Sequence, residues 1–217
     1  HGRGGDAHGQ ARGPAAGGTG AGKSTVCYSL WDKYPEKIGI VHLDDYFKQD
    51  GGVPLLHGME NWDHPNSLNL RKLAEDLEKL RHGEPIEVYT KHRPLDPNSK
   101  GEKRVWIEVT PKHVMLVEGY LVLHDEAVRK FFDTSIYLDI PHAVRYKRRV
   151  HFKIPGYEEK VLIPMHREYV EPTKRYADHI INVEKLSKEK VAREVEGIVA
   201  RALKSRSGYA IDTPLFS

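Results

Sequence analysis

The sequence predicts a three-layer α/β fold, in which a parallel sheet of about five strands carries helices on both faces, together with a small hairpin and a lid. Two observations predict it. Short apolar runs alternate with amphipathic helical patterns, and a glycine-rich loop stands just before the first helical pattern. Such alternation favours parallel pairing, because each crossover helix returns the chain to the same edge of the sheet. The 217 residues suffice for one such domain with a small lid.

The first 16 residues are rich in glycine and contain no Val, Ile, Leu or aromatic residue. This composition is typical of a flexible tail. A phosphate-binding glycine loop, however, normally follows a buried strand, and Pro14 would remove one donor from that strand's ladder. Two alternatives remain. Either neighbouring strands force this poor sequence into a strand, or the first strand is missing.

The glycine-rich loop is Gly17-Gly18-Thr19-Gly20-Ala21-Gly22-Lys23-Ser24-Thr25, which matches the pattern G-x-x-x-x-G-K-[ST]. Its glycines let successive backbone N–H groups point inward around phosphate oxygens. Lys23 can reach the β- and γ-phosphates, and the Ser24 hydroxyl can ligate Mg²⁺. The pattern therefore predicts a P-loop that binds a nucleoside triphosphate. The alternative is an ordinary flexible loop.

The elements after this loop follow from hydrophobic periodicity. Strands are predicted at 38–43, 86–89, 104–109, 113–119, 135–140 and 179–183, and helices at 24–33, 68–80, 141–153, 164–178 and 187–205. The strands at 86–89 and 104–109 flank a polar loop, which predicts a hairpin insertion over about 84–110. A lid is expected over about 145–160. The domain then spans 17–205, and 206–217 form a C-terminal tail.

Composition and charge narrow the function classes. The net charge is only +3, so no nucleic-acid partner is predicted, although the basic cluster Lys147-Arg148-Arg149 leaves RNA binding as an alternative. The single cysteine, Cys27, excludes an intramolecular disulfide framework and is typical of the cytoplasm. No apolar run approaches the ~20 residues of a membrane helix, and residues 1–16 lack a signal-peptide pattern. We therefore expect a cytoplasmic protein without a membrane partner.

Acidic residues mark the ends of two predicted buried strands. Asp44 and Asp45 follow the strand at 38–43, and Glu118 stands near the end of the strand at 113–119. Ligands of α/β sheets bind beyond the carboxyl ends of the strands. These acids therefore indicate a site shared with the phosphate loop, in which an acid such as Glu118 is typical of the metal side.

The chain resembles the uridine kinase family of P-loop nucleoside kinases, which is related to phosphoribulokinase and nicotinamide riboside kinase. The matching segments stand in the family's order: Gly17–Thr25, Asp44-Asp45-Tyr46-Phe47, Trp62-Asp63-His64-Pro65, Val117-Glu118-Gly119, Arg145 with Arg148-Arg149, and Met165–Ile181. The resemblance covers most of residues 17–183. It implies a Mg²⁺-dependent kinase that transfers the γ-phosphate of ATP or GTP to the 5′-hydroxyl of uridine or cytidine. Another ribosyl acceptor, such as nicotinamide riboside, and a non-catalytic nucleotide-binding protein are the alternatives.

The resemblance also implies residue roles on the catalytic side. Asp44 is expected to be the general base, with Asp45 as the second candidate. Ser24, Glu118 and Asp44 would surround Mg²⁺. The transferring phosphate would be held by Lys23 and, from the lid, by Arg145, Arg148 and Arg149. The alternative roles are a turn cap for Asp44 and solvent-facing positions for some of the arginines.

On the acceptor side, the resemblance implies that Asp63 holds the ribose hydroxyls, since a carboxylate accepts two donors at once. Further acceptor contacts are expected from Tyr46, Tyr89, His92 and Arg145. Asp63 could instead close an Asx-turn, and Tyr89 and His92 could be ordinary hairpin residues. The family is often oligomeric, which implies a homo-oligomer.

Overall fold

The computed structural model describes residues 11–17, 21–91, 103–141, 144 and 154–207. The strands are β1 Ala11–Gly17, β2 Ile38–His42, β3 Leu55–Leu56, β4 Met59–Glu60, β5 Ile86–Thr90, β6 Val105–Val109, β7 Val114–Gly119, β8 Ile136–Asp139 and β9 His179–Asn182. The α-helices are α1 Lys23–Lys33, α2 Leu70–Arg81, α3 Glu126–Arg129, α4 Ile163–Met165 and α5 Lys188–Ser207. Within these residues, five strands form one sheet in the order β2-β7-β1-β8-β9, and every neighbouring pair is parallel.

The central strand of this sheet lies in the segment whose composition is typical of a tail. β1 pairs with β7 on one side and with β8 on the other. The assignment of residues 11–16 to a flexible tail is therefore wrong, and of the two alternatives the strand is present. Even Pro14 lies in register, opposite Val117. The physical reason is that two buried apolar strands flank this segment, and such tertiary context overrides weak local propensity.

Alternate residues of β7 face two separate cores, as expected for a sheet that is covered on both sides. Val114 and Leu116 belong to the core formed with α1 and α5, whereas Met115 and Val117 belong to the core formed with α2 and β5. All six residues of β7 are buried, which explains why its sequence is a continuous apolar run that ends in Glu118-Gly119. The three-layer arrangement predicted from the sequence is confirmed.

The second core depends on α2. The side chain of Asn69 accepts a hydrogen bond from the Lys72 N–H at 3.1 Å, so the helix begins at Leu70 and not at Leu68. Leu73, Leu77 and Leu80 recur at helical spacing and are fully buried. Each such side chain contributes about 1.5–3 kcal/mol when it leaves water.

The predicted hairpin is present next to α2. β5 and β6 pair antiparallel with Tyr89 opposite Trp106, outside the main sheet. Ile86 and Val88 point into the core shared with α2, and Glu87 is exposed on the opposite face. This alternation anchors one face of the hairpin and leaves the other available to line a cavity.

An irregular helical stretch leads from the lid region back to the sheet. It consists of π-helical turns at Glu158–Leu162 and His166–Val170 around α4, followed by a 3₁₀ turn at Glu171–Tyr176. The polar residues that follow have structural contacts: Lys174 Nζ lies 2.6 Å from Asp139, and Asp178 accepts hydrogen bonds from the N–H and Oγ of Ser135, both at 2.7 Å. The end of the family-matching segment Met165–Ile181 therefore has a structural role, because Lys174 and Asp178 bind residues at the two ends of β8.

α5 closes the fold with 20 residues packed against α1. Lys33 and Tyr34 at the end of α1 both donate to Glu196 of α5, at 2.8 and 2.6 Å. No helix in the described part of the chain is both long enough and apolar enough to cross a membrane. The predicted helix at 141–153 lies largely outside the described residues.

Candidate active site

The described end of the phosphate loop is built around Gly22. Its φ of 89° lies in the left-handed region, which favours glycine, and α1 begins at the next residue. The Gly22 carbonyl accepts the first helical hydrogen bond from the Val26 N–H at 3.1 Å. The N–H groups of the first turn of α1 therefore lie at the end of the loop, where a helix terminus favours an anion. β1 ends at Gly17, so the strand that leads into the loop is in place.

A cavity of about 260 Å³ lies at this helix terminus. Its lining brings together parts of the chain that are far apart in sequence: Gly22, Lys23, Ser24, Thr25, Asp44, Glu118, Gly119 and Tyr120. Four predicted loop residues therefore share one space with the predicted base and the predicted metal-side acid. The cavity lies beyond the carboxyl ends of β2 and β7, where α/β sheets bind ligands.

Glu118 is held by two neighbours. The Ser24 hydroxyl donates to its Oε1 at 3.2 Å, and Nδ1 of His42 lies 2.6 Å from the same oxygen. His42 is fully buried at the end of β2. Because an ionised carboxylate can only accept, Nδ1 of His42 carries the proton in this contact. His42 was missed in the sequence, although a polar residue at the end of an otherwise apolar strand is a usable signal.

Asp44 lies in a 3₁₀ turn, Leu43–Tyr46, directly after β2. Burial and the neighbouring Glu118 raise the pKa of Asp44 to about 6, while Lys23 acts in the opposite direction. A carboxyl group with such a pKa is ionised at neutral pH and is still basic enough to accept a proton. The close approach of Gly119 to Leu43 keeps this turn against β7, because a Cβ on Gly119 would overlap Leu43.

Asp45 has a different environment from Asp44. Its side chain is 1% exposed and its Oδ1 accepts from Nη1 of Arg104 at 2.9 Å. Burial raises the pKa of Asp45, and a hydrogen bond from Thr90 opposes this shift. The carboxylate is thus engaged by the hairpin and does not line the cavity at the phosphate loop. Arg104 was also missed, since its partner lies 59 residues away.

Asp63 is buried and accepts a hydrogen bond from the Tyr157 hydroxyl at 2.9 Å. The same hydroxyl accepts from the Trp62 N–H at 3.1 Å. Tyr120 connects this group to the cavity: it lines the cavity, and its hydroxyl donates to the Trp62 carbonyl at 2.7 Å. Burial raises the pKa of Tyr120, and the nearby negative charges of Asp63 and Asp44 add to the effect.

Tyr46 and Tyr89 line a second cavity of about 350 Å³ between the hairpin and α2. The Tyr46 hydroxyl donates to Asp76 at 2.9 Å and so faces α2. Tyr89 lies against Trp106, with ring centroids 5.3 Å apart. The structure therefore brings neither tyrosine to the cavity at the phosphate loop.

Several predicted site residues lie outside the described residues: Gly18, Thr19, Gly20, His92, Arg145, Arg148 and Arg149. Their roles in binding the phosphates, the acceptor and the transferring group stay predictions. The predicted lid begins in this part of the chain, and only its end, from Ile154 onward, is described.

Ser24, Asp44 and Glu118 offer oxygen ligands, which a hard cation such as Mg²⁺ prefers. Ser24, Glu118 and Asp44 border the same cavity. In the described part of the chain, no group of three or more His, Cys, Asp or Glu side chains is arranged to enclose a metal ion. The residues present therefore fit a cation that is held by one or two protein oxygens and completed by phosphate and water, which is the usual arrangement for Mg²⁺.

A third cavity, of about 520 Å³, lies beside the start of α1. Its lining is mainly apolar and comes from the end of the phosphate loop, α1, the segment after β9 and the start of α5: Ala21, Gly22, Thr25, Val26, Val183, Leu186, Lys188 and Val191. Gly22 and Thr25 also line the cavity at the phosphate loop, so the two spaces adjoin. An apolar space beside a phosphate site is suited to a planar base.

The sequence profile of the phosphoribulokinase/uridine kinase family matches residues 57–192. A uridine kinase of Lactobacillus helveticus (strain DPC 4571) is 33% identical over 179 residues, which covers 76% of this chain and 83% of the relative. A uridine kinase of Geobacillus kaustophilus (strain HTA426) is 35% identical over 181 residues, covering 76% of this chain and 82% of the relative.

Solved structures show the same fold. A structure described as a possible uridine kinase from Bacillus stearothermophilus aligns with a TM-score of 0.56 at 19% identity, covering 80% of this chain and 89% of that one. A sugar kinase from Janibacter sp. HTCC2649 aligns with a TM-score of 0.52 at 15% identity, covering 89% and 98% of the two chains. At these identities, the likeness concerns the fold alone.

Proposed function

The chain belongs to the phosphoribulokinase/uridine kinase family, and we propose that it transfers the γ-phosphate of ATP to the 5′-hydroxyl of uridine or cytidine. One observation carries the proposal beyond family membership. A single cavity joins the end of the phosphate loop, Lys23 and Ser24 to the acids Asp44 and Glu118. A protein that only binds nucleotide needs no carboxylate of raised pKa facing the transferring phosphate.

The donor side depends on the loop and α1. The N–H groups at the helix terminus bind phosphate oxygens, and the Lys23 ammonium neutralises charge on the β- and γ-phosphates. Lys23 is largely buried, with 8% of its surface exposed, so its charge acts with little screening by water. We assign the base of ATP to the apolar cavity between α1 and the start of α5, which adjoins the loop. The mainly apolar lining suggests that GTP is also accepted.

The acceptor side depends on Asp44 and Asp63. Asp44 orients the 5′-hydroxyl and accepts its proton late in the transfer, since phosphoryl transfer depends mostly on positioning and charge neutralisation. Asp63 accepts hydrogen bonds from two ribose hydroxyls and is itself oriented by Tyr157. Tyr120 lies close to both acids and lines the space between the donor and the acceptor.

Ser24 and Glu118, with Asp44 nearby, are the residues that would hold Mg²⁺. When bound, Mg²⁺ stabilises the charge that develops on the phosphate oxygens. His42 fixes the orientation of Glu118, and the Ser24 hydroxyl is already directed at the same carboxylate. These contacts keep the two oxygen donors on one side of the cavity.

The proposal is tested by measuring ADP release from ATP and Mg²⁺ with a panel of acceptors: uridine, cytidine, adenosine, nicotinamide riboside and none. Products are identified by mass spectrometry, and Asp44→Asn serves as the inactive control. We expect release with uridine or cytidine and formation of a 5′-monophosphate. Release with nicotinamide riboside alone would overturn the pyrimidine acceptor. No release with any acceptor, while ATP still binds, would overturn catalysis by this chain.

We also propose a cytoplasmic location and a homo-oligomeric state. Cys27 is a free thiol, as is typical of proteins in a reducing compartment. The oligomer follows from the resemblance to a family that is often oligomeric. Light scattering coupled to gel filtration measures the mass directly, and a mass equal to one 24.8 kDa chain would overturn the oligomer.

A further inference from the structure

The Arg104 side chain donates hydrogen bonds to Asp44 and Asp45, which are neighbours in the turn after β2, and to Tyr89 in the hairpin. Its Nη1 donates to Oδ1 of Asp45 at 2.9 Å and to the carbonyl of Tyr89 at 2.8 Å, and its Nη2 donates to the carbonyl of Asp44 at 3.0 Å. One guanidinium therefore connects the end of β5 to the turn that carries the proposed base, and Arg104 itself directly precedes β6. We infer that Arg104 is a positioning residue, which sets Asp44 relative to the acceptor-side hairpin. This inference rests on the proposed function.

The chemistry of the contact requires arginine. The guanidinium is a planar fork with five N–H donors, so it can bind a carboxylate and two carbonyls at once. A lysine ammonium could still pair with Asp45, but it is a point charge and lacks the fork that reaches the Asp44 carbonyl at the same time. The two substitutions Arg104→Lys and Arg104→Met therefore separate the ion pair from the positioning contact.

Burial strengthens the ion pair between Asp45 and Arg104 and restricts the movement of both side chains. The side chains of Asp45 and Arg104 are 1% and 19% exposed, so water screens their attraction little. Asp45 follows Asp44 directly in the same 3₁₀ turn. Fixing the Asp45 carboxylate and the Asp44 carbonyl leaves the turn little freedom, and the Asp44 side chain keeps its direction toward the phosphate-loop cavity.

The same contact assigns different roles to the two neighbouring acids. Asp45 is engaged by Arg104 and Thr90 and does not line the cavity, whereas Asp44 does. Asp45 is thus the anchor of the turn and Asp44 the base. The pair also connects β5, which carries Tyr89, to the catalytic turn, so that movement of the hairpin is transmitted to Asp44.

The test compares Arg104→Lys, Arg104→Met and the double variant Asp45→Asn/Arg104→Met with the wild-type chain. Lys103→Met is the matched control, because Lys103 is the exposed neighbour of Arg104. Steady-state kinetics give kcat and the KM values for nucleoside and ATP. Hydrogen–deuterium exchange of peptides covering residues 43–48 reports the stiffness of the turn without any need for turnover. Thermal unfolding reports the fold.

For Arg104→Lys we expect kcat to fall about tenfold or more, because a displacement of about 1 Å at a reacting group has such an effect. The KM for ATP and the melting temperature should stay near wild type, and exchange in residues 43–48 should rise. The double variant should restore the melting temperature that Arg104→Met loses, without restoring kcat. Lys103→Met should behave as wild type.

An unchanged kcat and unchanged exchange in Arg104→Lys would overturn the inference. It would also fail if kcat and the melting temperature fell together in every variant, including Arg104→Lys, since that pattern indicates a purely structural role. Wild-type protein that phosphorylates no nucleoside would overturn the proposed function instead, and the exchange measurement would still decide whether Arg104 fixes the turn.

Discussion

The hydroxyl of Tyr157 lies 2.9 Å from Oδ2 of Asp63, although 94 residues separate the two in the sequence. Tyr157 is fully buried and also accepts a hydrogen bond from the Trp62 N–H. It lies in the described end of the predicted lid, directly before the helical turn Glu158–Leu162, so the proposed ribose-binding acid is oriented from the lid. We therefore expect acceptor binding through Asp63 to depend on the Tyr157 hydroxyl.

Removal of this hydroxyl in Tyr157→Phe should raise the KM for the nucleoside about tenfold or more and leave the KM for ATP unchanged. The loss of one hydrogen bond to a charged acceptor costs roughly 1.5 kcal/mol or more, and the phenyl ring still fills the site. Initial-rate kinetics measure both constants. Tyr176→Phe, at a half-exposed tyrosine of the same stretch, is the control, and an equal rise in both variants would contradict the role of Tyr157.

Loss of the lysine charge in Lys23→Met should lower kcat at least about a hundredfold, because a transition-state contact to the phosphates disappears while the buried stem is preserved. Lys33→Met is the control, because Lys33 lies at the other end of α1 and pairs with Glu196. It should retain near wild-type turnover. Comparable activity in the two variants would remove Lys23 from the catalytic machinery.

The raised pKa of Asp44 predicts a pH-dependent stability. Its pKa is about 6 in the folded chain and 3.8 for an ordinary aspartate, so the folded state binds the proton more tightly than the unfolded state does. The associated stability is present in full below about pH 4 and is lost as the pH rises through 6. Asp44→Asn mimics the protonated form. At pH 8 it should be more stable than wild type by about 1–2 kcal/mol, less than the full shift implies, because Asp44 is partly exposed.

Urea unfolding between pH 4 and pH 8, without nucleotide and with a chelator present, measures this difference. The advantage of Asp44→Asn should vanish toward pH 4, where both side chains are neutral. Asp50→Asn removes an exposed carboxylate nearby and is the control. A difference that stays constant with pH would show that the proton on Asp44 does not contribute.

The buried contact between His42 and Glu118 predicts a coupling between stability and metal dependence. His42→Leu removes a partner of Glu118 at 2.6 Å and should lower the free energy of unfolding by about 1–3 kcal/mol. It should also raise severalfold the Mg²⁺ concentration needed for half-maximal turnover. His42→Asn keeps a donor near the position of Nδ1 and should recover part of both losses. Destabilisation with an unaltered Mg²⁺ titration would mean that His42 does not orient Glu118.

The close approach of β7 to the catalytic turn is tested by Gly119→Ala. The added Cβ overlaps Leu43, the residue before Asp44, and must displace it. We expect turnover to fall at least about tenfold through displacement of the base, and stability to fall by about 1–3 kcal/mol. Gly197→Ala in α5 is the control, since a Cβ there meets only Nη1 of Arg201, at 3.4 Å. Full activity in Gly119→Ala would show that Leu43 can move without Asp44.

Local patterns explain which parts of the site could be predicted. The phosphate loop is one continuous motif, Asp44 directly follows one apolar strand, and Glu118 stands near the end of another, so their positions predict a place at the carboxyl edge of the sheet. Arg104 and Tyr157 have no such local signal. Their partners are 59 and 94 residues distant, and only the docking of the hairpin and the helical stretch brings them together. Side-chain contacts made by tertiary packing leave no periodic trace in the sequence.

β1 presents the opposite case. Its local composition is typical of a tail, and the sequence left a strand as only one of two alternatives. Ala, Gly and Pro dominate Ala11–Gly17, and each disfavours a strand in isolation. β7 and β8 supply the ladder partners on both sides, so pairing and not side-chain preference fixes the backbone. Composition reports the conformational preference of an isolated segment, whereas this segment is paired with a strand on each side in the folded chain.

The placement of β1 also has a consequence for biosynthesis. β1 precedes both of its partner strands in the chain, since Ala11 pairs with Val114 and Gly17 with Leu138. Its partners are therefore translated about a hundred residues later, and closure over such a distance is slow. The nascent chain can assemble the hairpin and α2 before it has a nucleotide site. We therefore expect a chain that ends before β8 to lack one of the two ladder partners of the strand that leads into the phosphate loop.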